Sequence, residues 1–120
     1  MSDLKSRTKA FARAVFKFCR ELPRTDEVLV LKRRLLRAAS SVAANYRSAC
    51  RGKSKADFIS KLSVVEEEAD ESALWLEMLA EELHDLKAPQ NPALAPLLKE
   101  ANELVAIMVA SKKTARSRPD

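Results

Sequence analysis

Between Ser54 and Leu86 the chain carries a seam of apolar and small residues. Phe58, Leu62, Val65, Ala69, Ser72, Leu76, Leu79, Leu83 and Leu86 are separated by alternating steps of four and three. An a/d pattern held over about four heptads, with no Gly or Pro inside it, specifies one long helix. Ser54 supplies an N-cap, and Asp57 stands three residues on, at capping-box spacing. At about 1.5 Å per residue the helix reaches roughly 50 Å. A narrow stripe of that length stays wet unless other helices cover it, so the rest of the chain must supply them.

Three further stripes do so. Leu4, Thr8, Phe11, Val15, Phe18 and Leu22 mark a helix over about 3–22, stopped by Pro23. Val28, Leu31, Leu35, Ala38, Val42, Asn45 and Ala49 mark a second over about 26–51. Thr25 or Asp26 caps it, and Glu27 favours its positive end. The lone Gly52 is expected to close it in a left-handed conformation. The long helix occupies about 54–87. The segment from Lys87 to Pro92 then turns the chain, with Asn91 expected as N-cap and Pro92 at the first helical position. Leu94, Leu97, Ala101, Leu104, Met108, Ser111 and Ala115 mark the fourth helix, over about 92–115. Four such helices on short loops predict an all-α, antiparallel up-down-up-down four-helix bundle over residues 1–116, with 117–120 a frayed tail. The expected core includes Phe58, Leu62, Val65, Leu76, Leu79, Leu83, Leu35, Val42, Leu104 and Met108. The first helix is the shortest, so the third is expected to overhang it.

Charge is distributed unevenly. Residues 1–61 hold 16 Lys and Arg against 5 Asp and Glu, a net of +11, whereas residues 62–120 hold 6 against 12, a net of −6. The basic half reads as an anion-facing surface, or as the complement of the acidic half. On the second helix, wound at about 100° per residue, Arg33, Arg37, Arg47 and Arg51 fall within an arc of about 80° opposite the seam. Lys53 and Lys55 continue the charge into the following turn. Arginine forks grip phosphate oxygens in pairs, so this face could follow a nucleic-acid backbone. No aromatic residue interleaves with the arginines, so contact with bases by stacking is not expected. A solvated face that keeps the bundle soluble is the plainer alternative.

Two other features stand out. Asn45 sits in the apolar seam, where a polar residue costs stability but can fix register and partner number. Leu74 and Met78 point nearly opposite the seam of the long helix with Trp75 on the flank, a pattern expected of a subunit interface. The acidic run Glu66 to Glu71 is expected to pair with arginines of the second helix, in the same or a neighbouring subunit. Catalytic and metal-binding classes find little footing. Cys19 and Cys50 with a single His match no zinc spacing, and His84 follows Glu81 by three residues with no second such pair for a di-metal site. No catalytic triad or glycine-rich phosphate loop is assembled. The expectations are no enzyme activity, no cofactor, no small-molecule substrate, no membrane span and a reduced, cytoplasmic setting.

The stretch from Leu36 to Glu71, LRAASSVAANYRSACRGKSKADFISKLSVVEEEADE, resembles the four-helix bundle proteins encoded in intervening sequences of bacterial 23S rRNA genes. Arg37, Ala38, Ala39, Ser41, Val42, Ala44 and Asn45 match the first part of the family pattern; Ser54, Asp57, Phe58 and Glu71 match the rest. The chain departs from it at Ser48-Ala49, where Glu-Gly is usual, and at Tyr46, where Ile is usual. The resemblance implies a ring-like homo-oligomer, typically a pentamer. A related branch is the accessory protein of diversity-generating retroelements, which implies nucleic acid or a reverse transcriptase as partners. The functional expectation is an oligomeric bundle that binds structured RNA. The alternative is an assembly scaffold whose basic face contacts an acidic protein.

Overall fold

A computed structural model describes residues 3–119, and the ends of the expected boundaries at residues 1, 2 and 120 lie outside the described residues. Four helices account for most of the chain: α1 (Leu4–Arg20), α2 (Asp26–Cys50), α3 (Lys55–Asp85) and α4 (Leu94–Ser117). They form an all-α bundle 54 × 20 × 19 Å. Its long axis is set by the 31 residues of α3. α2 packs on α1 and α3, and α4 packs on α3 and α1. End-to-end contacts tie the bundle at several levels. Glu21, after α1, accepts from Asn91 Nδ2, before α4 (3.1 Å). Arg7, near the start of α1, clamps Glu100 on α4 through Nε and Nη2, both at 2.7 Å, and reaches Glu103 at 2.9 Å. Lys112 on α4 lies 2.7 Å from Glu66 on α3, a Coulombic pair rather than an aligned hydrogen bond, while donating to Ser63 Oγ at 3.1 Å.

The caps explain where the helices begin and stop. Asp3, Thr25 and Ser54 each accept from backbone N–H groups of the first turn of α1, α2 and α3. Asp57 reaches back to the N–H of Lys53 at 3.2 Å, completing a reciprocal pair like a capping box, one residue early. Two expected ends differ. Gly52 is not left-handed, and α2 ends on Arg51 as its C-cap. A Cβ at Gly52 would stand 3.0 Å from Ala49 O and 3.1 Å from Asp57 Oδ2, so a side chain there would be crowded, and glycine fits by close approach rather than by conformation. The left-handed residue is Lys87 (φ 54°). It ends α3 in a Schellman motif, with Ala88 N donating to Leu83 O and Lys87 N to His84 O. α4 begins at Leu94, not Pro92. Asn91 Oδ1 accepts from Ala93 N and so holds a turn before the helix instead of capping it.

The seams meet in one core. Leu35, Val42, Leu62, Val65, Leu76, Leu79, Leu83, Leu104 and Met108 are buried as expected, and Thr8 satisfies its hydroxyl on Leu4 O within its own helix. Phe58 is only half-buried, and Leu86 is 40% exposed. Both lie where the bundle is incomplete. α1 has only 17 residues, about 26 Å, and does not run the length of α3. At the α2–α3 loop a cavity of about 740 Å³ opens among Ala49, Cys50, Phe58, Ala115 and Arg118, with no α1 residue in its wall. Leu86 is the C-cap of α3, past the last covered turn.

Candidate nucleic-acid interface

The inner face of α2 is committed to the core through Val28, Leu31, Leu35, Ala38, Ala39, Val42 and Ala49, all buried. That commitment fixes the rotation of the helix, and with it the direction of every arginine. Arg33, Arg37, Arg47 and Arg51 are all exposed on the opposite side, as the spacing requires. From Val28 to Ala56 the chain contains no Asp or Glu to neutralise them. Lys53 is exposed, and its backbone N–H bonds Asp57. Lys55 is half-buried, and its ammonium donates to the carbonyl of Arg118, so this lysine serves the α3–α4 contact.

Arg34, one residue from the arc, is turned toward α3. Its guanidinium lies over the Trp75 ring, 5.4 Å from the centroid. Trp75 Nε1 donates to Glu71 Oε1 at 3.2 Å. Trp75 is half-buried and packs against the core, while Leu74 (45%) and Met78 (39%) stay exposed beside it. The three residues therefore form one flank of α3, half anchored and half open. The acidic run does not pair with the α2 arginines within the chain. Glu66 goes to Lys112 on α4, Glu71 to Trp75, and among the described residues no ion pair joins the run to α2. The cause is rotation: Glu66 and Glu71 lie on different sides of α3, and only the Glu71 side faces α2.

Asn45 is half-buried in the seam, but its amide stays on its own helix. Nδ2 donates to Ser41 O at 2.9 Å and Ser41 Oγ at 2.7 Å. At the next residue, burial pushes the Tyr46 hydroxyl up to about 12, with Cys50 adding to the shift.

A second basic row lies on α1, outside the expected α2 arc. Lys5, Lys9, Arg13, Lys17 and Arg20 are all exposed, and α1 contains no acidic residue. The signal is visible in retrospect as the run of four-residue steps from Lys5 to Lys17. On the wheel they span an arc of about 120° on the side of α1 turned outward and toward α2. Between the two helices runs a shallow groove of about 440 Å³, with Phe16, Cys19 and Arg20 facing Lys32, Leu36, Arg37 and Ser40. The Cys19 thiol at its floor is pushed up to about 11 by burial, with Lys32 pulling the other way, so it stays protonated at neutral pH.

The 23S rRNA-intervening sequence protein family matches residues 2–110. The chain belongs to that family. A crystal structure of a protein of unknown function from the S23 ribosomal protein family of Bacteroides thetaiotaomicron is similar in fold, with a TM-score of 0.80 and 25% sequence identity, covering 92% of this chain and 99% of that one. No curated protein matches the sequence. Among the described residues, no helix of this family member is long and apolar enough to cross a membrane.

Proposed function

We propose that this chain is a non-enzymatic, oligomeric helical bundle that binds structured RNA through the arginine-rich outer face of α2. The observation that carries the reading is the acid-free arc of Arg33, Arg37, Arg47 and Arg51, exposed on a helix whose opposite face is locked into the core. Such an arc matches a phosphate backbone better than it matches base edges, so binding is weakly sequence-specific. The helices are read as running up-down-up-down, supported by the contacts of Glu21 with Asn91 and of Lys112 with Glu66. The flank of Leu74, Trp75 and Met78 is read as the subunit contact of a ring-like homo-oligomer, a pentamer by family resemblance. A ring repeats the arginine arc in each subunit, and weak single contacts then add through multivalency.

The test is Arg33→Gln with Arg51→Gln. RNA affinity measured against salt should show a flatter log–log slope, falling by about 0.9 for each lost phosphate contact on a duplex. All RNA sequences should weaken about equally, with helicity and oligomer size intact. A broken oligomer would place the arc between subunits. Unchanged affinity would leave the arc a solvated face.

A further inference from the structure

The arginine arc of α2 does not stand alone on its side of the bundle. Its Arg37 lines the groove with Lys32, and across the groove α1 exposes Lys5, Lys9, Arg13, Lys17 and Arg20. The groove between them brings Phe16, Cys19 and Arg20 opposite Lys32, Leu36 and Arg37. We infer that the α1–α2 groove is a two-railed seat for one strand of an RNA duplex, with α1 supplying half of the phosphate contacts. The inference rests on the RNA reading above and adds the rail that α2 alone does not provide.

Three observations favour this occupant. The first is regularity. The α1 cations from Lys5 to Lys17 recur every four residues, about 6 Å of axial rise, over roughly 22 Å to Arg20. Measured along the axis, one strand of a B-form duplex rises about 3.4 Å per phosphate, so a row laid along a duplex axis supplies on the order of one cation for every two phosphates. Evenly spaced charge fits a repeating polyanion better than the irregular carboxylates of a protein surface. The second is purity of sign. α1 carries no acid, and α2 carries none after Glu27, so over 4–20 and 28–50 no carboxylate on either rail repels a phosphate. Among the described residues Arg7 is the α1 cation held in a side-chain ion pair, and it faces away to Glu100 and Glu103 on α4. The third is the lack of a fully exposed stacking platform, for Phe16, the aromatic side chain that lines the groove, is half-buried. Among the described residues the exposed large apolar side chains are Leu, Val and Met, none aromatic. Single-strand binders stack bases on exposed rings, so a duplex, whose bases are already stacked, is the better match.

The rails also divide the molecule. α1 does not pack on α3. The groove and the Leu74–Met78 flank therefore lie on different sides of α2, and an RNA strand in the groove leaves the flank accessible.

The experiment compares the wild type with three variants of equal charge loss. These are Arg13→Gln with Lys17→Gln on the α1 rail, Arg33→Gln with Arg51→Gln on the α2 rail, and Lys99→Gln with Lys113→Gln, two exposed lysines of α4, as the control. Affinity for a 20-base-pair RNA duplex is measured between 50 and 200 mM salt, with circular dichroism confirming equal helicity. Both rail variants should lose about 1.8 from the salt slope, so that the drop in affinity across this range becomes about twelvefold smaller. The control should follow the wild type. If the wild type does not bind RNA, the functional reading itself fails. If it binds, and the α2 variant weakens while the α1 variant follows the control, the groove is overturned and the functional reading stands. Tighter binding to poly(U) than to the duplex overturns the double-stranded assignment. Equal binding to polyglutamate of matched charge replaces RNA with an acidic protein as the occupant.

Discussion

Arg33 and Arg34 are neighbours in sequence and opposites in circumstance. Arg34 lies over Trp75, whose indole in turn donates to Glu71, so its charge has an aromatic face and a nearby carboxylate. Arg33, turned about 100° around the same helix, belongs to the acid-free arc on the outer face, opposite the core. The two sides of α2 thus differ in kind. Toward α3 the flank mixes one arginine with Trp75, Leu74 and Met78 and with the acidic run. Toward α1 there is a basic groove with a small apolar floor. A compensated charge contributes to holding helices together; an uncompensated row of charges costs self-repulsion and gains only when an anion arrives. The contrast teaches that net charge says little about where a basic chain binds. The rotation of each helix, set by its buried seam, sorts identical side chains into those with partners in the fold and those left on the outer face.

The largest effect should come from removing the support shared by both sides. Leu35 is fully buried on the inner face of α2, and Leu35→Ala should cost roughly 2–5 kcal/mol in urea denaturation. RNA affinity and oligomer mass should fail together as the variant unfolds. Loss of one function with the other intact would show that the two sides do not depend on a common packing. Trp75→Glu with Met78→Lys addresses the α3 flank alone. Light scattering should report a smaller species with unchanged helicity, and the salt slope of a single protomer for RNA should not move. A monomeric wild type would sink the assembly proposal. The smallest effect separates the adjacent arginines. Arg34→Gln should destabilise by about 0.5–1 kcal/mol through the lost stacking on Trp75, whereas Arg33→Gln should stay within about 0.5 kcal/mol. Equal stability losses would mean that the difference between the two sides is not energetic.

Much of this was legible without coordinates, because helices advertise themselves through period. The heptad seam of α3, the caps Thr25 and Ser54, the stop at Pro23 and the exposure of Arg33, Arg37, Arg47 and Arg51 all follow from local spacing and local backbone chemistry. Where the reading went astray, the deciding contact was made by another part of the chain. Gly52 looks like a left-handed stop, but what marks it is the close approach of Ala49 O and Asp57 Oδ2 to its Cβ position. Asn91 looks like a cap, but its amide is engaged with Glu21, seventy residues away, and its carbonyl oxygen holds Ala93. Phe58 fits the seam, yet it is half-exposed because α1 is too short to cover that end.

By itself, then, the sequence determined that four helices form, which stripe of each is buried, and that the first half of the chain is basic. Only the tertiary structure decided which helices are neighbours. That decision put the α1 row beside the α2 arc, sent Arg7 to Glu100 and Arg34 to Trp75, and left Glu66 with Lys112 rather than with an arginine. The physical reason is one of range. Periodicity and capping act within a few residues and are written in every turn of a helix. The pairing of charges across helices depends on relative rotation and axial offset, which only the packing of the completed core sets.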